Sequence, residues 1–329
     1  MFTWQTSTWK NWRGVRERLP HAIMISSPEG WGELEFARSL AQSLLCERPA
    51  SERRACGVCE ACRWFSLGNH PDFRLIVPES LNPESQEEGA DPGKKRSDQI
   101  RIEQVRELAD FLAVGTHRGG LRVILIYPAE AMNANTQNAL LKSLEEPPPA
   151  MVFLLVATQP ERLLATVRSR CLRFALAAPD TEAVLLWLKE QGVDHPEAAL
   201  AAAGGAPLAA LKAAETEADR LAFIQGIGRP RFDPIALAQT VQRVPLRDLV
   251  SWLQRWTFDL LLAQATGRVR YHVGDEALIA DVSRRCRPAS ITAYLRRLAQ
   301  ARSLARHPLN AKLFVEDLLL QYQRLVEPS

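Results

Sequence analysis

Two runs, Leu121-Arg122-Val123-Ile124-Leu125-Ile126 and Met151-Val152-Phe153-Leu154-Leu155-Val156-Ala157, are apolar almost without interruption and rich in β-branched residues. A strand with one wet face alternates apolar and polar side chains, so a continuous apolar run needs cover on both faces. Ala22-Ile23-Met24-Ile25 and Phe73-Arg74-Leu75-Ile76-Val77 read as further strands, and helical spacing lies between the runs. It recurs at Phe36, Leu40 and Leu44, at Ile102, Val105, Leu108 and Leu112, and from Asn138 to Glu146, where Pro147-Pro148-Pro149 ends the helix because proline lacks the amide donor. Strands alternating with helices predict a parallel α/β sheet over residues 1–175.

Beyond that boundary the strand-like runs vanish, and alanine and leucine dominate. Helices are expected over 180–191, 196–203 and 207–216, in a small helical domain at 176–216. A second all-helical region at 217–329 carries amphipathic stretches near 247–265, 289–306 and 310–326. Residues 79–98 are polar and nearly free of large apolar groups, and they read as a loose insertion that buries too little to offset its ordering entropy. A net charge of +3 permits contact with nucleic acid without demanding it. No stretch approaches the roughly 18–20 apolar residues of a membrane span, and Met1 to Gln5 lacks the basic region of a secretion signal. A cytoplasmic chain without membrane contact is expected.

Four of the six cysteines, Cys46, Cys56, Cys59 and Cys62, fall in one short window. Four thiolates are the set that a closed tetrahedral zinc site uses, leaving no open position for catalysis. A redox pair or buried structural cysteines are the alternatives, but the polar Glu52-Arg53-Arg54 between them is poor core material. The expectation is structural zinc that staples the excursion at 46–62, contributing on the order of 10 kcal/mol of local folding energy. Cys171 and Cys286 carry no spacing signal.

The strand–turn–helix at 22–45 has the topology of a phosphate-binding loop. Such a loop uses two glycines for close backbone approach, a lysine for phosphate and a hydroxyl for magnesium. Here Ser27 stands at the first glycine, Gly32 at the second, Glu33 at the lysine and Leu34 at the hydroxyl. Alone, these residues fit a degenerate phosphate loop or a strand–turn–helix unrelated to nucleotides. The next core strand ends in Tyr127-Pro128, where a working site has two acids, and Glu130 further on reads as a surface carboxylate. Two motifs have kept their hydrophobic frames and lost their charges, so no ATP hydrolysis is expected.

Three segments then carry a family resemblance: Asn138-Ala139-Leu140-Leu141-Lys142-Ser143-Leu144-Glu145-Glu146-Pro147-Pro148, Phe153-Leu154-Leu155-Val156-Ala157-Thr158 and Ser169-Arg170-Cys171. They resemble, in turn, the family helix, the sensor strand and the Ser-Arg-Cys motif of the AAA+ clamp-loader family, in its bacterial DNA polymerase III form. The likeness extends to the cysteine module, to Gly68-Asn69-His70-Pro71-Asp72 and to the three-part layout; it is most specific over 22–62 and 121–174. The resemblance implies an AAA+ α/β domain with a degenerate loop and a zinc module, a helical lid and a helical collar. It implies a non-catalytic stator that joins motor (gamma/tau) subunits and a delta subunit in a ring of five. That ring loads the sliding clamp onto primed DNA as part of the polymerase holoenzyme in the nucleoid-associated replisome.

Taken alone, Arg170 reads first as a surface arginine paired with a local carboxylate; in the motif, beside Ser169, the resemblance makes it an arginine finger for a neighbour's ATP. Gly204-Gly205-Ala206-Pro207-Leu208 resembles the turn where active relatives place an arginine, with Leu208 in its stead. A motor subunit would keep the loop lysine, and the delta subunit usually lacks both the cysteine module and the Ser-Arg-Cys motif. Rival functions are an autonomous ATPase with an atypical loop and a free-standing zinc protein that binds nucleic acid. Arg284, Arg285, Arg287, Arg296, Arg297, Arg302 and Arg306 could line a DNA path or decorate a solvated helix, and Trp252 and Trp256 read as packing residues. Glu33→Lys alone is expected to leave the chain without ATP turnover, because Tyr127 and Pro128 remain; phosphate release by the purified variant measures this, and robust turnover would refute the account of the lost site.

Overall fold

The computed structural model describes residues 1–82, 96–108, 111, 119–305 and 310–327. Positions 83–95 of the polar insertion, Leu112 and Arg306 lie outside the described residues. The chain divides into two compact units, Met1–Val184 and Leu185–Ser329.

In the first unit β1 (Ala22–Ser26), β2 (Phe73–Ile76), β3 (Arg122–Ile126), β4 (Met151–Ala157) and β5 (Leu172–Ala175) form one sheet in the order β2-β3-β4-β1-β5. Every pairing is parallel; Ile23 lies between Leu154 and Leu172, and Val123 between Phe73 and Val152. Every residue of β3 and β4 is buried. Val123, Leu125, Val152, Leu154 and Val156 pack on one face with Trp9, Trp12, Phe36 and Leu40. Ile124, Ile126, Phe153 and Leu155 pack on the other with Ile100, Leu140, Leu144 and Val167. The predicted α/β parallel sheet is therefore present, with both faces dry.

The helices of this unit are α1 (Thr6–Arg16), α2 (Glu33–Leu45), α3 (Glu60–Ser66), α4 (Ile102–Arg106), α5 (Ala134–Glu145) and α6 (Ala165–Arg168). α5 starts earlier than the run from Asn138 suggested, because the Asn133 side chain caps it by accepting from the Thr136 amide at 2.9 Å. β5 was not anticipated from sequence. It is an edge strand in which Phe174 is the buried residue, so it lacks the continuous apolar run of the central strands. Beyond it, the Ala177 amide donates to Thr8 Oγ1 at 3.0 Å, joining the start of α1 to the end of the sheet region.

α7 (Thr181–Glu190) carries the unit boundary, and the second unit continues with α8 (Pro196–Ala202), α9 (Pro207–Ala214), α10 (Glu217–Gly228), α11 (Pro234–Thr240), α12 (Leu246–Thr266), α13 (Glu276–Arg285), α14 (Pro288–Leu304) and α15 (Ala311–Val326). Trp252, Trp256 and Leu260 of α12 pack with Ile291 and Leu298 of α14 and with Leu319 and Tyr322 of α15. Trp256 Nε1 donates to the Tyr322 hydroxyl at 2.7 Å, and that hydroxyl donates to the Ile227 carbonyl at 3.3 Å. Among the described residues no helix is long and apolar enough to cross a membrane.

One buried charge organises the turn after α12. Asp259 is fully buried; its Oδ1 accepts from the Arg270 amide, and its Oδ2 accepts from the Tyr271 and His272 amides and meets His272 Nδ1, all at 2.9 Å. Burial pushes the Asp259 carboxyl up, but His272 and the three amides outweigh it and hold the group below its usual value. A depressed carboxyl contributes stability that is present above its unfolded pKa, near 3.8, and lost as pH falls through the folded value. Asp259→Asn is expected to destabilise the helical unit by about 3 kcal/mol at pH 7, because it leaves buried amide donors facing an NH₂ group. Urea unfolding reads this, the gap from the parent should narrow below about pH 4, and equal stability at pH 7 would defeat the assignment.

Candidate functional site

Loops leaving the carboxyl ends of parallel strands are where α/β sheets build their sites, and here three of them follow β1, β3 and β4. The first holds the turn that reads from sequence as a degenerate phosphate loop. Gly30 and Gly32 take positive φ values of 86° and 84°, and Glu33 opens α2. The Glu33 side chain is buried and turns back into its own loop. Oε2 accepts from the Trp31 amide at 3.1 Å and Oε1 accepts more weakly from the Gly30 amide at 3.4 Å. From the end of β3 the Tyr127 hydroxyl donates to Oε1 at 3.2 Å. Converging loop amides suit an anionic group, and the group that the Gly30 and Trp31 amides meet is the chain's own Glu33 carboxyl. Burial raises the pKa of Glu33, opposed by those amides and by Tyr127; burial and the neighbouring carboxylate push the Tyr127 phenol far up.

The segment before α1 closes over the same loop. Trp4 Nε1 donates to the Trp31 carbonyl at 3.0 Å, and Gln5 Nε2 donates to the Gly32 carbonyl at 2.7 Å. A Cβ on Gly32 would lie 2.7 Å from the Phe2 ring and 2.8 Å from the Gln5 amide, so this position requires glycine for space as well as for φ. Ser27 is buried, its hydroxyl turned to the Pro28 carbonyl at 3.0 Å, and Leu34 packs against the core.

Glu130 corrects an expectation: it is buried rather than a surface carboxylate. Its Oε1 accepts from the Thr158 amide at 3.0 Å, the Thr158 hydroxyl at 2.6 Å and the Gln159 amide at 3.0 Å. It thereby ties the turn after β3 to the end of β4. Gln137 of α5 extends the tie, donating through Nε2 to the Met132 carbonyl at 2.9 Å and accepting from the Leu164 amide at 2.7 Å. These bonds fix the segment that carries Ser169 and Arg170. The Arg170 side chain keeps 34% of its surface exposed, and its Nη2 lies 2.5 Å from Glu145 Oε1 at the end of α5. Its Nη1 donates to the Thr166 carbonyl at 2.9 Å. Ser169 is exposed and donates to the same carbonyl at 3.1 Å. In the single chain, Arg170 is thus paired with a local carboxylate.

The cysteine window folds into a compact cluster. Cys46 ends α2, Cys59 caps α3, and the four sulfurs of Cys46, Cys56, Cys59 and Cys62 lie within 4.8 Å of one another. Cys46 and Cys59 Sγ are 3.9 Å apart, and Cys56 and Cys62 Sγ are 4.0 Å apart. Ligands at about 2.3 Å from a tetrahedral zinc sit about 3.8 Å apart, so this cluster could hold such a metal with slight contraction. Amides of Cys56, Cys59 and Cys62 donate to Cys46, Cys56 and Cys59 Sγ at 3.3, 3.3 and 3.4 Å, an arrangement that favours thiolate over thiol. Hydrogen bonds from the Val58 and Cys59 amides bring the Cys56 thiol down to about 6, whereas burial pushes Cys62 up. Trp9 Nε1 and Arg16 Nη1 tether the excursion to α1 through the Glu52 and Arg53 carbonyls at 3.1 and 2.9 Å.

Of the C-terminal arginines, Arg284 and Arg285 pair with Asp281 at 3.3 and 3.1 Å, and Arg297 pairs with Asp317 at 3.5 Å. Trp252 and Trp256 are core residues. In the turn holding Leu208, Gly204 and Gly205 take φ values of 72° and 84°, and Pro207 opens α9. Sequence reasoning saw Glu33 and Tyr127 as two separate losses and missed their bond; an acid gained where a hydroxyl was also gained was the available signal. It missed Trp4 and Gln5 altogether.

The family model described as DNA polymerase III, delta subunit, matches residues 5–180, and that for the C-terminal part of the delta subunit matches 215–324. The DNA polymerase III subunit delta' of Pseudomonas aeruginosa is 36% identical over 347 residues, covering 100% of this chain and 99% of the relative. That of Yersinia pestis is 33% identical, covering 93% and 88%. The subunit tau of Escherichia coli is 34% identical over 187 residues, covering 56% of this chain and 26% of the relative.

Metal analysis is expected to give about one zinc per chain, matching one four-thiolate set. Chelation, or Cys59→Ser, should free the remaining thiols to alkylation and destabilise the module. Freshly purified protein with an empty, freely alkylated cluster would rule the site out.

Proposed function

This chain belongs to the DNA polymerase III delta-subunit family, in the branch of its delta' relatives, and on that premise we propose that it is the non-catalytic stator of the clamp loader. It assembles with motor (gamma/tau) subunits and a delta subunit into a five-membered ring that places the sliding clamp on primed DNA in the cytoplasm. The observation that carries the non-catalytic part is Glu33. Two of the loop amides, those of Gly30 and Trp31, already meet a carboxylate, and a phosphate would be driven against a buried acid. Tyr127 replaces a metal-holding acid with a neutral donor aimed at the same carboxylate. The chain is then a part of the polymerase holoenzyme with no turnover of its own.

In this reading the cysteine cluster holds structural zinc, since four thiolates leave no coordination position for substrate. Residues 176–216 serve as a lid and 217–329 as the collar that joins the ring. The contribution to ATP hydrolysis is made in trans by Arg170. A guanidinium stays charged at any physiological pH and presents a rigid fork of donors to phosphate, and Arg170 stands partly exposed on a segment fixed by Glu130 and Gln137.

The test is DNA-stimulated ATP hydrolysis by motor subunits reconstituted with this chain, delta and the clamp. Arginine fingers contribute about 10³–10⁵ in rate at the site they serve. Arg170→Ala should therefore silence one site in a ring that still assembles and still carries its zinc. Unchanged turnover would reduce Arg170 to a surface residue, and turnover by this chain alone would point instead to an autonomous ATPase.

A further inference from the structure

We infer that Glu145 is a positioning residue that parks Arg170 when no neighbouring phosphate is present and takes it back when the phosphate leaves. The inference rests on the proposed role of Arg170 as a finger in trans. It adds to that role the pairing of Arg170 with Glu145.

Glu145 stands where a carboxylate is out of place. It is the last residue of α5, with Glu146 as the C-cap, at the end of the helix where the backbone carbonyls already concentrate negative charge. A cation is favoured there, and the cation present is Arg170, 2.5 Å away. Both terminal nitrogens of the guanidinium are occupied, one by Glu145 and the other by the Thr166 carbonyl. Bidentate binding of phosphate uses two parallel N–H groups, so phosphate must displace at least one of these partners.

Each of the two mounts is tied by a hydrogen bond from elsewhere in the unit. The α5 end is held by His21, whose Nε2 lies 3.1 Å from the Leu144 carbonyl, and the start of α6 is held by Gln137. Exchange of partners therefore needs only rotation of the Arg170 side chain. The pair is also weak enough to exchange, because its side chains are 34% and 47% exposed, and exposed ion pairs shift an equilibrium by about fivefold or less. Leaving Glu145 unpaired at a helix carboxyl end opposes engagement of the finger, and this opposition draws Arg170 back after hydrolysis.

Glu145→Gln keeps the chain length and an acceptor oxygen while removing the charge. In the reconstituted clamp loader it is expected to lower the KM for ATP by about two- to fivefold, with the effect falling on KM rather than on kcat. The double variant with Arg170→Ala should reproduce the Arg170→Ala profile, since Glu145 acts only through that side chain. Gel filtration and zinc content verify that each variant assembles. An unchanged or raised KM in Glu145→Gln, beside a crippled Arg170→Ala, overturns the parking role and leaves the finger intact. A KM shift that persists in the double variant also overturns it. Full activity in Arg170→Ala removes the finger reading, and the parking role with it.

Discussion

The central strands of the first unit present apolar side chains on both faces, and neither face can be left to water. Val123, Leu125, Val152, Leu154 and Val156 require one layer of helices, and Ile124, Ile126, Phe153 and Leu155 require another. Parallel pairing follows, since each strand must be reached by a crossover that covers a face. All the carboxyl ends then point the same way. The turn after β1, Tyr127 and Glu130 after β3, and Thr158 after β4 emerge on one rim for that reason alone. The order β2-β3-β4-β1-β5 sets β4 between β3 and β1, which lets Glu130 reach Thr158.

That rim is dense with internal bonds. A loop with two left-handed glycines offers converging amides, and buried amides need partners. Glu33 supplies one from within and links the loop to Tyr127 across the sheet. Trp4 and Gln5 satisfy the loop carbonyls from outside. Glu130 and Gln137 do comparable work beside it, each joining elements distant in sequence. Every one of these bonds lowers the freedom of the rim.

Much of this was legible because it is local. β3 and β4 announced themselves as unbroken apolar runs, and the Cys56, Cys59 and Cys62 spacing pointed to the thiol cluster that forms with Cys46. β5 was hidden because an edge strand needs only Phe174 inward. Glu130 was misread because its burial depends on partners from the end of β4, and nothing around position 130 encodes them. The Glu33–Tyr127 bond spans 94 positions, so each residue looked like a deletion when together they form a substitution. Glu145 was read as part of a family segment, and its pairing with Arg170 required the folded distance.

The bond from Ala177 to Thr8 joins positions 169 residues apart. Chains emerge from the ribosome amino end first, so α1 leaves long before its final partner exists. In the folded unit Trp9 and Trp12 pack with Val123, Val152 and Phe174, all of them made long after α1. The contact between α1 and the end of the sheet region consequently cannot close until translation has passed residue 177, whatever the local propensity of α1.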